Sequence, residues 1–323
     1  MFEDGRSFDL NKLAFVFPGQ GAQAVGMGKD FYDHYEVAKK LFKEADEALG
    51  YSIKAMCFEG PAEDLQLTAN TQPAILTMSV IAAAVLKENG VEPDIAGGHS
   101  LGEYAALVAA GVLAFGDAVA LVHKRGQYMQ EAVPVGEGGM AAIIGLDDEV
   151  ISDACEKASK EAGEVQPVNF NCPGQTVIAG TTAGVEAAAK ALKDAGAKRA
   201  VVLPVSAPFH STLMKPAAEK LAAELEHVAI HDAKISVVSN YTGKLESKAD
   251  EIKANLVAQA DHPVHWVDCV KTMQSFGADV FVEAGPGRTL AGFNRRIDRS
   301  IKSLNVGDLA SLQKTLDTLK EVR

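Results

Sequence analysis

Asp94-Ile95-Ala96-Gly97-Gly98-His99-Ser100-Leu101-Gly102-Glu103-Tyr104 is the stretch whose reading decides the fold. Inside it, Gly98-His99-Ser100-Leu101-Gly102 fits Gly-x-Ser-x-Gly, the pattern of a serine carried on a sharp strand-to-helix turn. Such a turn exposes the hydroxyl and needs neighbours without bulk two residues to either side, which Gly98 and Gly102 supply. It also aims the first N–H groups of a helix at the same spot. A short apolar segment, residues 94–96, precedes the motif, and an alanine-rich helical run, residues 103–110, follows it. Five positions with three fixed recur by chance, so an ordinary serine in a glycine-rich loop is the alternative. The surrounding chain has to decide between them.

Working outward, residues 13–17 are a short apolar run that predicts a buried first strand. They run into Pro18-Gly19-Gln20-Gly21-Ala22-Gln23, a turn-rich loop. Its glycines invite a phosphate-loop reading, but no Gly-Lys-Ser/Thr follows and Gly-x-Gly-x-x-Gly is absent. Val37, Leu41, Ala45 and Leu49 recur every four residues and predict an amphipathic helix closed by Gly50. Residues 73–86 are apolar almost all round and predict a buried helix with Pro73 near its first turn. Phe115 to Glu131 predicts another helix, with Val119, Val122 and Met129 inward and Arg125 near its middle. Beyond the glycine-rich shift at 134–139 the pattern reads strand 140–146, helix 149–161, strands 167–171 and 175–180, helix 184–195 and strand 200–204. That is βαββαβ, the ferredoxin-like order, fit for an inserted small domain. An α/β pattern then resumes: helix 215–226, strand 235–239, strand 280–282 and a last, basic helix at 290–301.

Composition bounds the function. The chain has 323 residues, 47% hydrophobic and 23% charged, an ordinary globular composition for about two domains. A formal net charge of −12 speaks against general nucleic-acid binding. The four cysteines, Cys57, Cys155, Cys172 and Cys269, are widely spaced, so neither a metal site nor a disulfide framework is expected. Lys87, Glu88 and Gly90 end the longest apolar run, and no segment is expected to span a membrane. The first residues carry Glu3, Asp4, Arg6, Asp9 and Lys12 with no apolar core, which is not the pattern of a secretory signal. A cytoplasmic protein with reduced thiols is the expectation.

A serine nucleophile needs a base, and eight histidines are available. His34 and His123 fall in helical runs, His227 and His231 in a mixed polar stretch, and His262 and His265 flank Pro263. His210 stands just past a strand-like run in the loop Pro204 to Phe209, where catalytic groups collect in α/β sheets. From the residues alone it is a candidate, and a structural histidine is the alternative.

Six blocks taken together carry a resemblance. They are Phe17-Pro18-Gly19-Gln20-Gly21-Ala22-Gln23, Gly98 to Tyr104, Arg125-Gly126, Pro167-Val168-Asn169-Phe170-Asn171, Ala207-Pro208-Phe209-His210 and Glu283-Ala284-Gly285-Pro286-Gly287. In this order the chain resembles the malonyl-CoA:acyl carrier protein transacylase family of type II fatty acid synthesis, from about residue 13 to residue 301. The resemblance implies an α/β-hydrolase-like large domain, residues 1–135 and 205–323, with the ferredoxin-like small domain at 136–204. It implies Ser100 as nucleophile and His210 as base, with backbone N–H groups of Gln20 and Leu101 as oxyanion hole. It implies Arg125 as partner of the malonyl carboxylate, a group that a guanidinium pairs with bidentately and that neutral acyl groups lack. Phe209 falls where related acyltransferases separate malonyl from methylmalonyl, and Asn169 and His99 are implied in substrate binding. The family orients its histidine through a backbone carbonyl, and the resemblance points to the position of His265, where family members often carry Gln. Whether that side chain also matters stays open.

No cofactor and no metal are implied, the partners are malonyl-CoA and acyl carrier protein, and a monomer is expected. Carrier docking is expected at two basic patches: Lys190, Lys193, Lys198 and Arg199, and Arg288, Arg295, Arg296, Arg299 and Lys302. Lys198, Arg199 and Arg296 are its foremost candidates. A serine hydrolase on the same elbow is the competing reading, and Arg125 with the Gly19–Gln23 loop is the feature that such an enzyme does not need. An inactive scaffold is the third reading, against which intact Ser100, His210 and Arg125 argue.

Overall fold

The computed structural model describes residues 12–205 and 207–322. The acidic and basic residues before Lys12, on which the leader reading rests, lie outside the described residues. Among the described residues, ten strands fall into two sheets. They are β1 (Lys12–Phe17), β2 (Ile95–Gly98), β3 (Gly138–Ile144), β4 (Val165–Cys172), β5 (Gln175–Thr181), β6 (Arg199–Val202), β7 (Ser236–Val238), β8 (Leu245–Glu246), β9 (Ala278–Ala284) and β10 (Lys302–Val306). The larger sheet has the order β10-β9-β1-β2-β7-β8, parallel except for β8. Its central strand β1 is the apolar run Leu13–Phe17, buried on both faces, as a parallel strand covered by helices must be. The smaller sheet, β4-β5-β3-β6, is antiparallel. With the helices Asp148–Glu161 and Thr182–Asp194 it makes the expected ferredoxin-like βαββαβ unit. The fold is therefore α/β-hydrolase-like, with a ferredoxin-like unit between β2 and β7 in the chain.

One edge of the small sheet is sewn to the loop that precedes the helix Trp266–Ser275. The N–H of Val264 donates to Val168 O at 2.8 Å, and the N–H of Phe170 donates to Val264 O at 3.0 Å. Strand β4 thereby overhangs the loops at the C-terminal ends of β1 and β2, where open α/β sheets place their sites.

Four sequence expectations change. The buried helix runs Thr68–Glu88, so Pro73 sits inside it rather than near its first turn. Proline lacks the N–H that would bond Ala69 O, and His123 Nδ1 fills the vacancy by donating to that carbonyl at 2.8 Å. The same helix is long and apolar enough to cross a membrane, 21 residues at mean hydropathy 1.4, which overturns the expectation that no run reaches that length; 78% of its most apolar window is buried inside the protein, as a core helix. In the helix Glu36–Leu49 the fully buried stripe is Ala38, Phe42 and Ala45. Ala45 is buried as predicted, whereas Ala38 and Phe42 stand one residue on from Val37 and Leu41, which with Leu49 are only half-buried. Phe42 sets it, packing edge-on against Phe58 at 5.1 Å and Tyr32 at 6.0 Å. The basic helix Thr289–Ile297 is not the last element, because β10 and the helix Leu309–Val322 follow. Edge strand β10 alternates apolar and polar residues, a weaker signal than the buried strands give.

Candidate active site

The turn after β2 is a nucleophile elbow built by steric need. Ser100 has φ 52° and ψ −107°, a conformation that costs an L-residue energy. A Cβ on Gly98 would lie 1.9 Å from Gly102 C, and a Cβ on Gly102 would lie 2.0 Å from Phe17 O. The two glycines of the motif let the elbow helix Leu101–Ala109 fold back onto β1 and β2. The side chain of Asn240, from the loop after β7, clips the turn. Its Oδ1 accepts from Ser100 N–H at 2.6 Å, and its Nδ2 donates to Gly98 O at 2.6 Å.

His210 reaches the serine from the loop that returns from the small sheet. Its Nε2 lies 2.7 Å from Ser100 Oγ, and its Nδ1 lies 2.8 Å from Gln259 O. A carbonyl only accepts, so Nδ1 carries the proton and Nε2 is free to take one from the serine. His210 also has positive φ, 63°. Burial, and then the Arg125 guanidinium, pull its pKa down to about 3, so the imidazole stands neutral as a base must.

Arg125 completes the set. It comes from the helix Phe115–Glu131 and is 1% exposed. Nη2 donates to Ser100 Oγ at 3.0 Å and to Gln259 Oε1 at 2.9 Å, and Nη1 donates to Gln72 Oε1 at 2.8 Å. All three acceptors are uncharged. Burial lowers the Arg125 pKa, and Nε has no partner. A buried guanidinium held by neutral groups is an anion site waiting for its anion.

Ser100, His210 and Arg125 share a cavity of about 120 Å³ with Gln20, Gln72, His99, Leu101, Met129, Asn169 and Phe209. A crevice of about 270 Å³ adjoins it between the Pro18–Ala22 loop, the strands β4 and β5, and the helix Thr289–Ile297. The geometry is that of a serine hydroxyl between a neutral imidazole and a buried guanidinium, with a slot leading to it.

The acyl transferase domain family model matches residues 14–317. The chain is 48% identical to the malonyl CoA-acyl carrier protein transacylase of Bacillus subtilis, over 97% of this chain and 98% of that one. It is 50% identical to that of Haemophilus influenzae, over 94% and 97%. The chain belongs to the malonyl CoA-acyl carrier protein transacylases. Among solved structures, an acyl carrier protein S-malonyltransferase from Vibrio cholerae superposes with a TM-score of 0.91 at 48% identity, covering 94% of this chain and 99% of that one. A malonyl-transacylase solved in complex with its type II PKS acyl-carrier protein superposes at 0.92 with 46% identity, covering 95% and 99%.

Within this transacylase fold the implied residues fall as follows. Leu101 opens the elbow helix, so its N–H has no carbonyl one turn back inside the helix. Gln20 lines the cavity opposite and its side chain meets Thr68 Oγ1 at 3.4 Å. His99 turns away from the serine. Its Nε2 meets Asn171 Oδ1 at 2.8 Å, and burial lowers its pKa. Asn169 lines both the cavity and the crevice, and its Oδ1 is buried without a partner. Phe209 is 8% exposed and packs on the cavity wall.

Lys198 and Arg199 are exposed where β6 begins, at the free edge of the small sheet. Arg296 is exposed too, but its guanidinium is engaged, with Nη1 to Gln175 Oε1 at 2.9 Å and Nη2 to Pro173 O at 3.0 Å. It ties the helix Thr289–Ile297 to the β4–β5 turn.

One implied role moves. The carbonyl that orients His210 belongs to Gln259, not to residue 265. The carbonyl of His265 instead accepts from Cys269 N at 2.9 Å, and its N–H donates to Asn240 O at 3.0 Å. Its ring stacks on Phe170 at 5.4 Å, part of the seam between β4 and the start of the helix Trp266–Ser275.

Gln259, Asn240 and Gln72 are site residues that sequence reasoning passed over. Gln259 left a signal: it interrupts the apolar stripe Ile252, Leu256 and Ala260 of the helix Ala249–Asp261, and is itself fully buried. A glutamine in such a place has partners to satisfy.

Proposed function

We propose that this protein transfers the malonyl group of malonyl-CoA to the phosphopantetheine thiol of acyl carrier protein, supplying malonyl-ACP for fatty acid biosynthesis. The observation that carries this is the 3.0 Å contact between the buried guanidinium of Arg125 and the hydroxyl of Ser100. A cation at that distance suits an acyl group bearing a carboxylate close to its thioester carbon.

In the first half-reaction the malonyl carboxylate takes the guanidinium of Arg125. The Ser100 oxygen attacks the thioester carbon while its proton passes to His210 Nε2. N–H groups of Gln20 and Leu101 receive the oxyanion, and donors of this kind lower such barriers by about 3 kcal/mol each. The C–S bond breaks and the proton returns to the CoA thiolate, leaving a malonyl-serine ester. In the second half-reaction the carrier's pantetheine thiol gives its proton to His210 and attacks the ester. Collapse returns the proton to Ser100. Both partner thiols reach the serine through one crevice, so the scheme is ping-pong.

The reading extends to the rest of the chain. Residues 1–135 with 205–323 act as the catalytic domain and 136–204 as a small domain closing over it. The protein works as a cytoplasmic monomer without metal or cofactor. Phe209 crowds a substituent on the malonyl methylene, and His99 and Asn169 bound the acyl group. Lys198, Arg199 and Arg296 receive the acidic carrier at the crevice mouth.

The test is intact mass after mixing with malonyl-CoA. One malonyl adduct is expected on the Ser100 peptide, absent in Ser100→Ala and weak with acetyl-CoA. Arg125→Ala should lose the malonyl preference while keeping residual acylation. Rapid turnover of the adduct by water alone, without a thiol, would identify a hydrolase instead.

A further inference from the structure

Behind the elbow, on the side away from the cavity, two carboxyl groups are buried, and neither makes a salt bridge with any of the described residues. Glu103 is fully buried and Glu246 is 3% exposed. Oε2 of Glu103 accepts from Asn240 N at 3.0 Å and from Gln259 Nε2 at 2.9 Å. Oε2 of Glu246 accepts from Asn255 Nδ2 at 2.7 Å. In each, Oε1 is buried without a partner. An ionised carboxylate with a bare buried oxygen is costly, so that oxygen is where a proton belongs.

The side-chain amide of Gln259 connects this pair to the cavity. Its Nε2 donates to Glu103 Oε2, and its Oε1 accepts from Arg125 Nη2 at 2.9 Å. The same Nε2 donates to Ser100 O at 2.9 Å. The amide cannot turn over without facing NH₂ to the guanidinium and oxygen to the carboxyl, so the relay has one direction. Building on the transacylase reading, we propose that Glu103 is a positioning residue for substrate selection. Through Gln259 its carboxyl governs how much of the Arg125 charge is offered to the malonyl carboxylate.

Uncharged, Glu103 leaves the guanidinium with neutral partners alone, and the substrate supplies its only anion. Ionised, it polarises the amide toward Arg125 and competes with that anion. By linkage, a bound malonyl carboxylate in turn favours the protonated form of Glu103. The groups facing Glu103 are Glu246 on β8, Arg125 across the amide, Tyr104 beside it on the elbow helix, and Cys269 on the helix Trp266–Ser275. Burial first, and then Glu246, hold the Glu103 carboxyl far above the ordinary carboxylate range, while Gln259, Asn240 and Arg125 act against them. The proton therefore stays in place at neutral pH and leaves as the solution turns alkaline.

The experiment measures kcat/KM for Ser100 acylation by malonyl-CoA and by acetyl-CoA between about pH 6 and about pH 9.5, and takes their ratio. Titrations that both substrates share, His210 included, cancel in it. In the native protein the ratio should fall as pH rises, about tenfold for each unit by which malonyl binding raises the Glu103 pKa. Glu103→Gln keeps the acceptor for Asn240 and Gln259 and removes the charge, so its ratio should stay high and flat. Glu246, the less deeply buried of the two, loses its proton first and is charged where Glu103 titrates. Glu246→Gln removes that negative charge, so the fall should move to lower pH. That variant and the native profile decide the matter even if Glu103→Gln does not fold. A flat ratio in the native protein, a Glu103→Gln ratio that still falls, or an unmoved fall in Glu246→Gln overturns the proposal. Absence of any malonyl-serine ester at every pH would instead overturn the transacylase reading itself.

Discussion

Asn240 holds the backbone on both sides of Ser100, taking the serine N–H on Oδ1 and giving Nδ2 to Gly98 O, each at 2.6 Å. The strained φ of Ser100 is thus fastened by a residue 140 positions away in the chain. Asn240→Ala would leave that N–H and that carbonyl without their partner, in a turn that relaxes once released. We expect kcat for acylation to fall about 100-fold, because a shift of the nucleophile by about 1 Å costs that much. The KM for malonyl-CoA should change little, since Arg125 is untouched. Single-turnover acylation with a parallel thermal melt checks this; a KM effect larger than the kcat effect would contradict it.

The depressed pKa of His210 has consequences for rate and for stability. Its folded value, about 3, lies below the ordinary imidazole value of 6.5. Between those limits the unfolded chain binds a proton that the native protein refuses. Stability therefore stands in full above about pH 6.5 and drains away as pH falls toward about 3, on the order of a few kcal/mol in all. The base meanwhile stays neutral, so the acylation rate should not halve near pH 6.5 as a solvent-exposed imidazole would require. Stopped-flow acylation between about pH 5 and about pH 7, beside denaturant melts over the same range, tests both halves.

Gly126 lets the helix that carries Arg125 touch the start of the helix Thr68–Glu88. A Cβ there would meet Thr68 O at 2.7 Å and Ala69 Cα at 2.8 Å, both backbone atoms that cannot swing aside. Gly126→Ala should destabilise the protein by about 1–3 kcal/mol through overpacking. It should also draw Arg125 back from Ser100. The malonyl kcat/KM should then drop more than the acetyl value, and equal losses would mean the helix had not moved.

The sequence made legible what is enforced locally. The elbow shows because Gly98 and Gly102 are forced by contacts within five residues and against β1, and the βαββαβ unit shows because its apolar periods are regular. Pro73 misled because it usually opens a helix, whereas here His123 satisfies the carbonyl it frees. The residues that hold the dyad were hidden for a different reason. Gln259 meets Ser100 O across 159 positions and His210 across 49, contacts that no periodicity encodes. The resemblance supplied the idea of an orienting carbonyl but pointed at residue 265, and only the fold could assign it to Gln259.

Two of the proposed carrier-docking arginines should behave differently when reversed in charge. Arg199 is exposed at the free edge of the small sheet, whereas Arg296 spans to Pro173 O and Gln175 Oε1. Arg199→Glu should raise the KM for acyl carrier protein several-fold, with a flattened salt dependence, because exposed charges act mainly through a screened long-range field. Acylation of Ser100 by malonyl-CoA should be unchanged in that variant. Arg296→Glu removes a docking charge and also unfastens the β4–β5 turn from the helix Thr289–Ile297, so both half-reactions should suffer. A carrier assay at two ionic strengths, beside carrier-free acylation, separates the cases. If Arg199→Glu slowed acylation by malonyl-CoA as much as transfer to the carrier, the edge of β6 would have no part in docking.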